Sequence, residues 1–488
     1  MHPTTPCFPA WQAQLAPMGA RVAQTVKAVR SYTLCQLEER FGSCVPQTLF
    51  PKAAAHTNSR DRLYTRWLTL WSMLWQGFNP KASGRQVVRQ IQALLELHNG
   101  PSISEEDGAY CRAKARLPVS EFSKALAATA QAADRAAPAQ TLLQSRPIKA
   151  ADGTILTLND TPKNRAAYPP LHSPEPNFPM LRVVVLFSLL SGATVSLAAG
   201  NLHAAELPLF SQLMDQLVRG DILLADRGFG NFILLALLQK LNRGVDFIGR
   251  SVRHVDGRRR LKRLGQQDWL AQWQRSPSPS LWLPLAQWLA LPQQMTVRMV
   301  RGRLYCTGFR VRQITLVTTL LDPQLYPAQE ILQAYLRRWR LEMCLDDLKT
   351  TLEMELLRSR SPEMVQREVY AHLIAHNLIR YTMAQAASQE TVPLERISFK
   401  GTLDALRQFT HAISQARTKK KRRQLWTKLL ETLAADLVPN RPGRREPRAV
   451  KRKKNKYPRL DAPRHKFRDR PKRNLRLTQA RERTLGLM

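Results

Sequence analysis

Residues 335–349 constrain this chain more than any other segment, because they predict a helix with two different faces. The segment contains neither Gly nor Pro, and leucines recur at helical spacing at positions 341, 345, 348 and 352, which is typical of an amphipathic helix. At about 100° per residue, four polar side chains fall within roughly 60° of one another beside the leucine row. They are Tyr335, Arg338, Glu342 and Lys349. A carboxylate between cations suits a surface that holds a metal ion and a phosphate backbone, although most charged helix faces are only solvated.

A second acidic residue, Asp152, lies inside a predicted strand at 147–160. A carboxylate in a half-buried strand lowers stability unless a partner such as a metal ion compensates it. The adjacent Gly153 would let another group approach the backbone closely. The alternative is a hairpin in which Asp152-Gly153 is the turn, since Asp-Gly is a strong turn signal.

The segments that follow predict an α/β fold. The pattern of apolar residues indicates strands and helices; strands are expected at 180–190, 193–199 and 221–225, and helices at 204–218 and 232–241. The strand at 221–225 ends at Asp226, and ligands in open α/β sheets bind at the carboxyl ends of strands. This order of elements resembles the ribonuclease-H-like fold, which favours the strand over the hairpin for Asp152.

Three short motifs resemble those of the DDE transposases of bacterial insertion sequences, in the family named after insertion sequence four. The pattern Tyr335-x2-Arg338-x3-Glu342-x6-Lys349 is similar to the third catalytic block. Asp226-Arg227-Gly228-Phe229 is similar to the second block, and Ala151-Asp152-Gly153-Thr154 to the first. Lys163 departs from the family pattern, which has an acid there, and this puts the loop after the first strand in doubt.

The resemblance covers about residues 58–465. It implies an enzyme that cleaves double-stranded DNA at the terminal inverted repeats of an insertion sequence and transfers the ends into target DNA by cut-and-paste transposition. It also implies a homodimer in the synaptic complex. Two other functions are compatible with the same features: a catalytically silent DNA-binding regulator of transposition, and a structure-selective nuclease of the same fold.

The three acids predict a metal site. Asp152, Asp226 and Glu342 supply only hard oxygen ligands, which favours Mg²⁺ or Mn²⁺ over zinc. Two such ions about 4 Å apart can hold the attacking and leaving oxygens of a phosphodiester in line. Two rivals remain: Asp160, which precedes a turn signal, for the first acid, and Asp346, one helical turn after Glu342, for the third.

Basic side chains near these acids are expected to contact DNA. Arg338 and Lys349 would bind the DNA backbone near the scissile phosphate, and Tyr335 would pack on this backbone or hydrogen-bond to it. Arg227 directly follows the second acid and is also predicted to bind DNA.

The amino-terminal region, 1–145, is predicted to be a helical domain, and the resemblance implies that it binds the DNA ends. Helices are expected at 60–77 and 83–98, and a third should begin near Ser104, whose hydroxyl could cap it. The third helix carries Tyr110, Arg112, Lys114 and Arg116. A helical pair followed by a basic helix suits a helix-turn-helix DNA reader; a plain helical bundle with a solvated basic face is the alternative.

The remaining domains follow from the order of the predicted elements, from the long separation of Asp226 and Glu342, and from composition. A ribonuclease-H-like catalytic domain is predicted at 146–387, with a β-rich insertion at about 245–325 whose four tryptophans favour core packing over base stacking. Residues 388–440 are predicted to be helical. Residues 441–488 contain 19 Lys and Arg against 4 Asp and Glu, so a disordered basic tail is expected, which would bind DNA without sequence preference.

The charge of the whole chain favours a polyanionic partner. It has 75 Lys and Arg against 37 Asp and Glu, a formal charge of +38 and a sequence pI near 10.9, and nucleic acid is the partner that this composition indicates. Six cysteines without Cys-x2-Cys pairs indicate neither zinc nor disulfides. The longest apolar run, 183–200, is broken by Ser191-Gly192 and predicts a hairpin rather than a membrane span. These features indicate a reduced, cytoplasmic location, and together with the resemblance they imply a bacterial protein associated with the nucleoid.

Overall fold

The computed structural model describes residues 41–42, 44–50, 63–79, 81–97, 102–170, 178–240, 244–251, 260–304, 312–416 and 418–439. The strands are β1 (Ile148–Thr157), β2 (Met180–Ser188), β3 (Thr194–Asn201), β4 (Ile222–Ala225), β5 (Asp246–Arg250), β6 (Arg260–Gly265), β7 (Asp268–Gln274), β8 (Gln294–Leu304) and β9 (Arg312–Thr318). Within these ranges they form one nine-stranded sheet in the order β3-β2-β1-β4-β5-β9-β8-β7-β6. The fold is therefore mixed α/β. The predicted tail at 441–488 lies outside the described residues.

Helices pack on both faces of the sheet. They are α1 (Arg66–Phe78), α2 (Gly84–Leu97), α3 (Gly108–Ala115), α4 (Val119–Ala136), α5 (Pro162–Ala167), α6 (Glu206–Ser211), α7 (Phe232–Lys240), α8 (Leu285–Leu289), α9 (Ala328–Leu336), α10 (Trp339–Asp346), α11 (Pro362–Gln389), α12 (Phe399–Gln415) and α13 (Lys419–Ala435). None of the helices in the described ranges combines the length and the apolarity that a membrane span requires.

Strand β1 runs without interruption through its acidic residue. Asp152 pairs with Val185 of β2, and Gly153 pairs with Val184, so the alternative in which Asp152-Gly153 forms a hairpin turn is wrong. The predicted hairpin at 183–200 is confirmed, because β2 and β3 pair in antiparallel fashion. Gly192 in its connection has a φ of +76°, a left-handed conformation that glycine adopts without steric cost.

Two hydrophobic cores cover the two faces of the sheet. In β4, Ile222 and Leu224 belong to the core that includes α11, whereas Leu223 and Ala225 belong to the core on the opposite face. This alternation follows the two-residue period of a strand. A strand buried on both faces explains the continuous apolar run that precedes Asp226.

The amino-terminal helices share the first of these cores with α11. Helix α1 is almost wholly buried, and α4 packs along α11. The amide of the buried Asn377 on α11 joins three elements, since its Oδ1 accepts from Thr194 N at 2.7 Å and its Nδ2 donates to Thr129 Oγ1 at 3.1 Å. These helices therefore pack as part of one body with the sheet.

The third amino-terminal helix differs from the prediction at its start. Helix α3 begins at Gly108 rather than near Ser104, because the Ser104 hydroxyl accepts a hydrogen bond from Glu106 N in a local turn. The predicted basic face also loses one member. Tyr110 is fully buried, and its hydroxyl donates to Gln76 Oε1 at 2.7 Å, so it belongs to the core.

The predicted single helix at 335–349 is divided. Helix α9 ends at Leu336 and α10 begins at Trp339, and a π-helical segment, Asp347–Thr351, follows. Arg337 N and Arg338 N bond to carbonyls three residues back rather than four, which tightens the chain into a turn of 3₁₀ type. The predicted helix at 204–218 is also shorter, since α6 ends at Ser211 and a separate turn occupies Met214–Gln216.

The predicted β-rich insertion continues the central sheet. Strand β5, at the start of the range 245–325, pairs in parallel with β4, and β9 pairs with β5 in antiparallel fashion. The core interpretation of the tryptophans is confirmed, because Trp269, Trp273 and Trp288 are buried and Trp282 packs against them partly buried. The insertion is thus anchored to the sheet by backbone hydrogen bonds along β9.

We expect one buried histidine of α11 to make the fold less stable in acid. His376 is fully buried and its ring stacks on Phe399 with 5.2 Å between centroids. Burial and the nearby charge of Arg380 lower its pKa to about 3, whereas the pKa in the unfolded chain is about 6.5. Stability is therefore highest above pH 6.5 with respect to this group and is lost as the pH falls from there toward 3.

Replacing His376 with leucine should remove this acid sensitivity. Between pH 8 and pH 5, protonation of His376 should cost the unsubstituted chain about 2 kcal/mol of unfolding free energy, and His376→Leu should be spared this loss. Urea unfolding at both pH values measures the difference. The partly exposed His372, one turn earlier on the same helix, provides the control variant His372→Leu. An equal effect in the control, or none in His376→Leu, would contradict the assignment.

Candidate active site

Two predicted acids lie at the same level on neighbouring strands. Asp152 follows Ala151 in β1, and Asp226 follows Ala225, the last residue of β4; these two alanines are partners in the parallel register. Both alanines pack into the core on one face of the sheet, and Asp226 keeps an extended backbone. Because side chains alternate along a strand, the two carboxylates point to the opposite face, on which α9, α10 and α11 pack.

The carboxylate of Asp152 is held in a partly buried position. Its Oδ1 accepts a hydrogen bond from Gly153 N at 2.8 Å. Burial raises the pKa of Asp152 to about 6; the carboxylates of Asp226 and Glu206 add to the rise, whereas the Gly153 hydrogen bond and the charge of Arg338 oppose it. Asp226 is thus near enough to disfavour the charge of Asp152, as expected for two carboxylates that share a site.

Sequence reasoning missed a fourth carboxylate, that of Glu206. This residue lies in the first turn of α6, and its Oε1 occupies the space in which a side chain at position 153 would lie. The signal for it was Gly153, since a glycine within a strand marks a close approach by another group. The sequence did not show which group this was.

The turn after α9 places three of the four predicted polar side chains together. Tyr335, on the last turn of α9, is only 6% exposed, and its hydroxyl donates to Asp226 Oδ1 at 3.4 Å. The guanidinium of Arg338 lies 5.7 Å from the centre of the Tyr335 ring, and its Nη2 donates to Glu342 Oε1 at 3.1 Å. Burial raises the pKa of Tyr335 to about 12, so the phenol remains a neutral donor.

Arg338 is the positive centre of the site. Burial by itself lowers the pKa of its guanidinium, but the Tyr335 phenol and the carboxylates of Asp226, Glu342 and Asp152 raise it above the usual value. The structure thus brings all three predicted acids around one cation. The Arg338 side chain is 13% exposed and that of Glu342 is 40% exposed, so the third acid lies nearest the solvent.

The donor chemistry of these residues fits Mg²⁺ or Mn²⁺, because all the acids supply hard oxygen ligands. Asp152 and Asp226 also fit in position, since they follow paired residues of adjacent strands. Glu342 is bound to Arg338, and in the described part of the chain no three His, Cys, Asp or Glu side chains converge closely enough to hold one ion. Glu342 would have to leave Arg338 to join the other two.

The two rival acids have other partners. Asp160 forms an ion pair with Arg165 in the segment after β1. Asp346 is exposed and accepts a hydrogen bond from Thr350 Oγ1 at 2.8 Å. Neither is among the main charges that act on Asp152 or Arg338. This geometry favours Asp152 and Glu342.

The other predicted DNA-binding residues lie on separate elements. Lys349 is partly buried in the π-helical segment, and Arg227 is exposed in the single turn after Asp226. Arg112 on α3 and Arg116 directly after it are exposed, whereas the Lys114 ammonium lies 4.6 Å from the centre of the Tyr110 ring.

Comparison with known proteins identifies a transposase domain within the chain. Residues 143–378 match the family described as Transposase DDE domain. The transposase InsG for insertion sequence element IS4 of Escherichia coli strain K12 is 26% identical over 333 residues, which cover 66% of this chain and 70% of that protein. The transposase for insertion sequence element IS421 of Escherichia coli is 33% identical over 66 residues, 14% of this chain and 18% of that protein. Residues 143–378 therefore form a transposase DDE domain, and two thirds of the chain is similar to the IS4 transposase.

A solved structure with broad coverage is also similar. A piggyBac transposase synaptic complex with hairpin DNA aligns over 88% of each chain at 11% sequence identity. Its TM-score of 0.37 is too low to support an argument about this fold.

Proposed function

We propose that this DNA transposase acts by divalent-metal-dependent cleavage at the ends of its insertion sequence, followed by transfer of the freed 3′-hydroxyl into target DNA. The observation that carries the proposal is the placement of Asp152, Asp226 and Glu342 around Arg338. Three acids from distant parts of the chain have no structural reason to gather at a partly solvent-exposed position. Asp152, Tyr335 and Arg338 have pKa values shifted from their usual range, and such groups gathered in one place are typical of functional sites.

The order of the first five strands supports a ribonuclease-H-like catalytic domain, for which we propose the bounds 146–387. Within the order β3-β2-β1-β4-β5, only β2 runs against the others. Asp152 lies on β1 and Asp226 directly follows β4, and these two strands are parallel neighbours in this set. In open α/β sheets the carboxyl ends of such strands hold the ligand.

We assign the metal ligands as Asp152, Asp226 and Glu342. A pair of bound Mg²⁺ or Mn²⁺ ions would supply charge stabilisation to both oxygens of the in-line displacement. The Tyr335 hydroxyl orients the carboxylate of Asp226, and Arg338 offsets the negative charge of the three acids. Because Arg338 also reaches the surface beside Glu342, its guanidinium can transfer from the carboxylates to a DNA phosphate.

We assign DNA contacts to the basic residues around this site and on α3. Lys349 and Arg227 follow the third and second acids in the chain, and we propose that they bind phosphates near the cleaved bond. Arg112, Lys114 and Arg116 would bind the terminal inverted repeats within an amino-terminal region at 1–145. The basic tail at 441–488, which follows a helical region at 388–440, would extend the DNA contacts, in a homodimer that holds two ends in the bacterial cytoplasm.

The proposal is tested with the full chain, labelled DNA that carries the insertion-sequence ends, and a supercoiled plasmid target. With Mg²⁺ or Mn²⁺ we expect cleavage at the ends and end-joined plasmid products, and with a chelator we expect neither. Cleavage without joined products would indicate a nuclease instead. End-specific binding with no cleavage under any divalent ion would indicate a DNA-binding regulator.

A further inference from the structure

Helix α13 carries an unusual concentration of positive charge at its beginning. Its first five residues, 419–423, are Lys-Lys-Lys-Arg-Arg, and none of the residues in its first turn is acidic. Thr418 caps the helix, since its Oγ1 accepts from Lys421 N at 3.1 Å. The amino-terminal end of a helix is the positive end of its macrodipole, so these cations are placed where they destabilise the helix.

The opposite side of α13 accounts for the stability of the helix. Trp426, Leu429, Leu430 and Leu433 form one apolar stripe that is buried in the core shared with α11 and α12. The spacing of this stripe follows the helical period. Packing therefore keeps α13 folded with its basic residues directed outward, and folding itself gains nothing from their charge.

The basic residues line an open groove along the exposed face. The groove has a volume of about 620 Å³, and its charged lining residues are Lys419, Lys420, Arg423, Lys428 and Glu431. Lys428 and Glu431 form an ion pair at 3.0 Å near the far end. Within the described ranges, Lys419, Lys420 and Arg423 are exposed and have no carboxylate partner. A local arrangement that opposes folding and remains unpaired is typical of a functional surface.

We propose that this face of α13, formed by Lys419, Lys420, Arg423 and Thr427, binds the phosphate backbone of duplex DNA without reading its sequence. The inference rests on the proposed function in that it takes DNA as the polyanion. From 419 to 427 the helix rises about 12 Å. Along the axis of a DNA duplex, one strand places a phosphate about every 3.4 Å, so this length spans three or four phosphates of one strand. Three cations and a hydroxyl match that stretch in charge and number.

The experiment compares the binding of a random-sequence duplex to the full chain over a range of salt concentrations. In the variant Lys419→Gln/Lys420→Gln/Arg423→Gln, the slope of log affinity against log salt should fall by about 2 to 3, because each lost phosphate contact removes about 0.9. The charge-conserving variant Lys419→Arg/Lys420→Arg/Arg423→Lys should keep the slope. Thermal melting should show the glutamine variant to be at least as stable as the unsubstituted chain, because it relieves repulsion at the helix end.

A control variant that loses three positive charges elsewhere on the protein distinguishes the effect of contacts made by α13 from the effect of net charge on the slope. Lys124, Arg135 and Lys240 are exposed on other helices, and changing all three to glutamine should leave the slope nearly unchanged. An equal fall in the slope of this control, an unchanged slope in the α13 variant, or a greater loss of binding to single-stranded RNA than to duplex DNA would overturn the proposal. Binding is measured without metal, so its outcome is independent of whether the chain cleaves DNA.

Discussion

Replacing Glu342 with glutamine is expected to lower the rate of DNA strand cleavage about a thousandfold or more. The substitution keeps the size of the side chain but removes the charge that would bind a divalent ion. A metal site supplies several kcal/mol of transition-state stabilisation, and about 4 kcal/mol corresponds to a factor of a thousand in rate. Because the Glu342 side chain is 40% exposed, the loss should appear in single-turnover cleavage with little change in the melting temperature.

The matched control is Asp346→Asn, one helical turn further along α10. Asp346 is exposed and bonded to Thr350, so its variant should cleave within about threefold of the unsubstituted chain, in line with the small effects of surface changes. A Glu342→Gln variant that still cleaves, beside an inactive Asp346→Asn variant, would move the third ligand to Asp346. The affinity for Mn²⁺ in the presence of DNA, measured by calorimetry, should fall only in the Glu342 variant.

The second large effect is expected in stability, at Arg298 of β8. This side chain is fully buried and binds Asp268 of β7 through two hydrogen bonds, Nε to Oδ1 at 2.9 Å and Nη2 to Oδ2 at 2.6 Å. Its Nη1 donates to the carbonyl of Tyr326 at 2.7 Å, in the segment that leads into α9. Arg298 thereby ties the insertion to the helix that positions Tyr335.

Replacing Arg298 with methionine should lower the free energy of unfolding by about 3 to 5 kcal/mol, because it leaves a buried carboxylate without its partner. Urea unfolding followed by far-ultraviolet circular dichroism measures the loss. Arg301 lies on the same strand and is exposed, so Arg301→Met should change stability by about 0.5 kcal/mol or less. Adding Asp268→Leu to Arg298→Met should restore part of the stability; a loss below about 1 kcal/mol in the single variant would contradict this role.

Much of the sheet could be predicted because its strands carry local signals. The apolar run before Asp226 required burial on both faces, and the Ser191-Gly192 interruption indicated a hairpin; the structure confirms both. The expectation that Asp152 and Asp226 lie together came from the resemblance of their motifs to the first two catalytic blocks, and the parallel pairing of β1 with β4 places them on neighbouring strands. Their assignment as ligands stays a prediction until the cleavage experiments are made.

The turn between α9 and α10 could not be predicted, because nothing in the local sequence marks it. No Gly or Pro interrupts residues 335–349, and the helical period continues through Arg337 and Arg338. The turn forms where Tyr335 packs into the core and the Arg338 guanidinium lies among Asp152, Asp226 and Glu342. The interactions of Tyr335 and Arg338 with Asp152 and Asp226 join residues more than one hundred positions apart, and helical periodicity does not report them.

The sequence by itself determined which residues carry charge, which segments must be buried, and which acids end or follow strands, since these properties depend on a few neighbouring residues. Only the tertiary structure decided that Glu206 lies against Gly153, that Tyr110 belongs to the core, and that the insertion extends the central sheet. Hydrophobic periodicity shows which side chains of a helix or strand face the interior of the protein and so must pack against a partner. Which partner each side chain faces depends on the free energy of packing the whole chain at once.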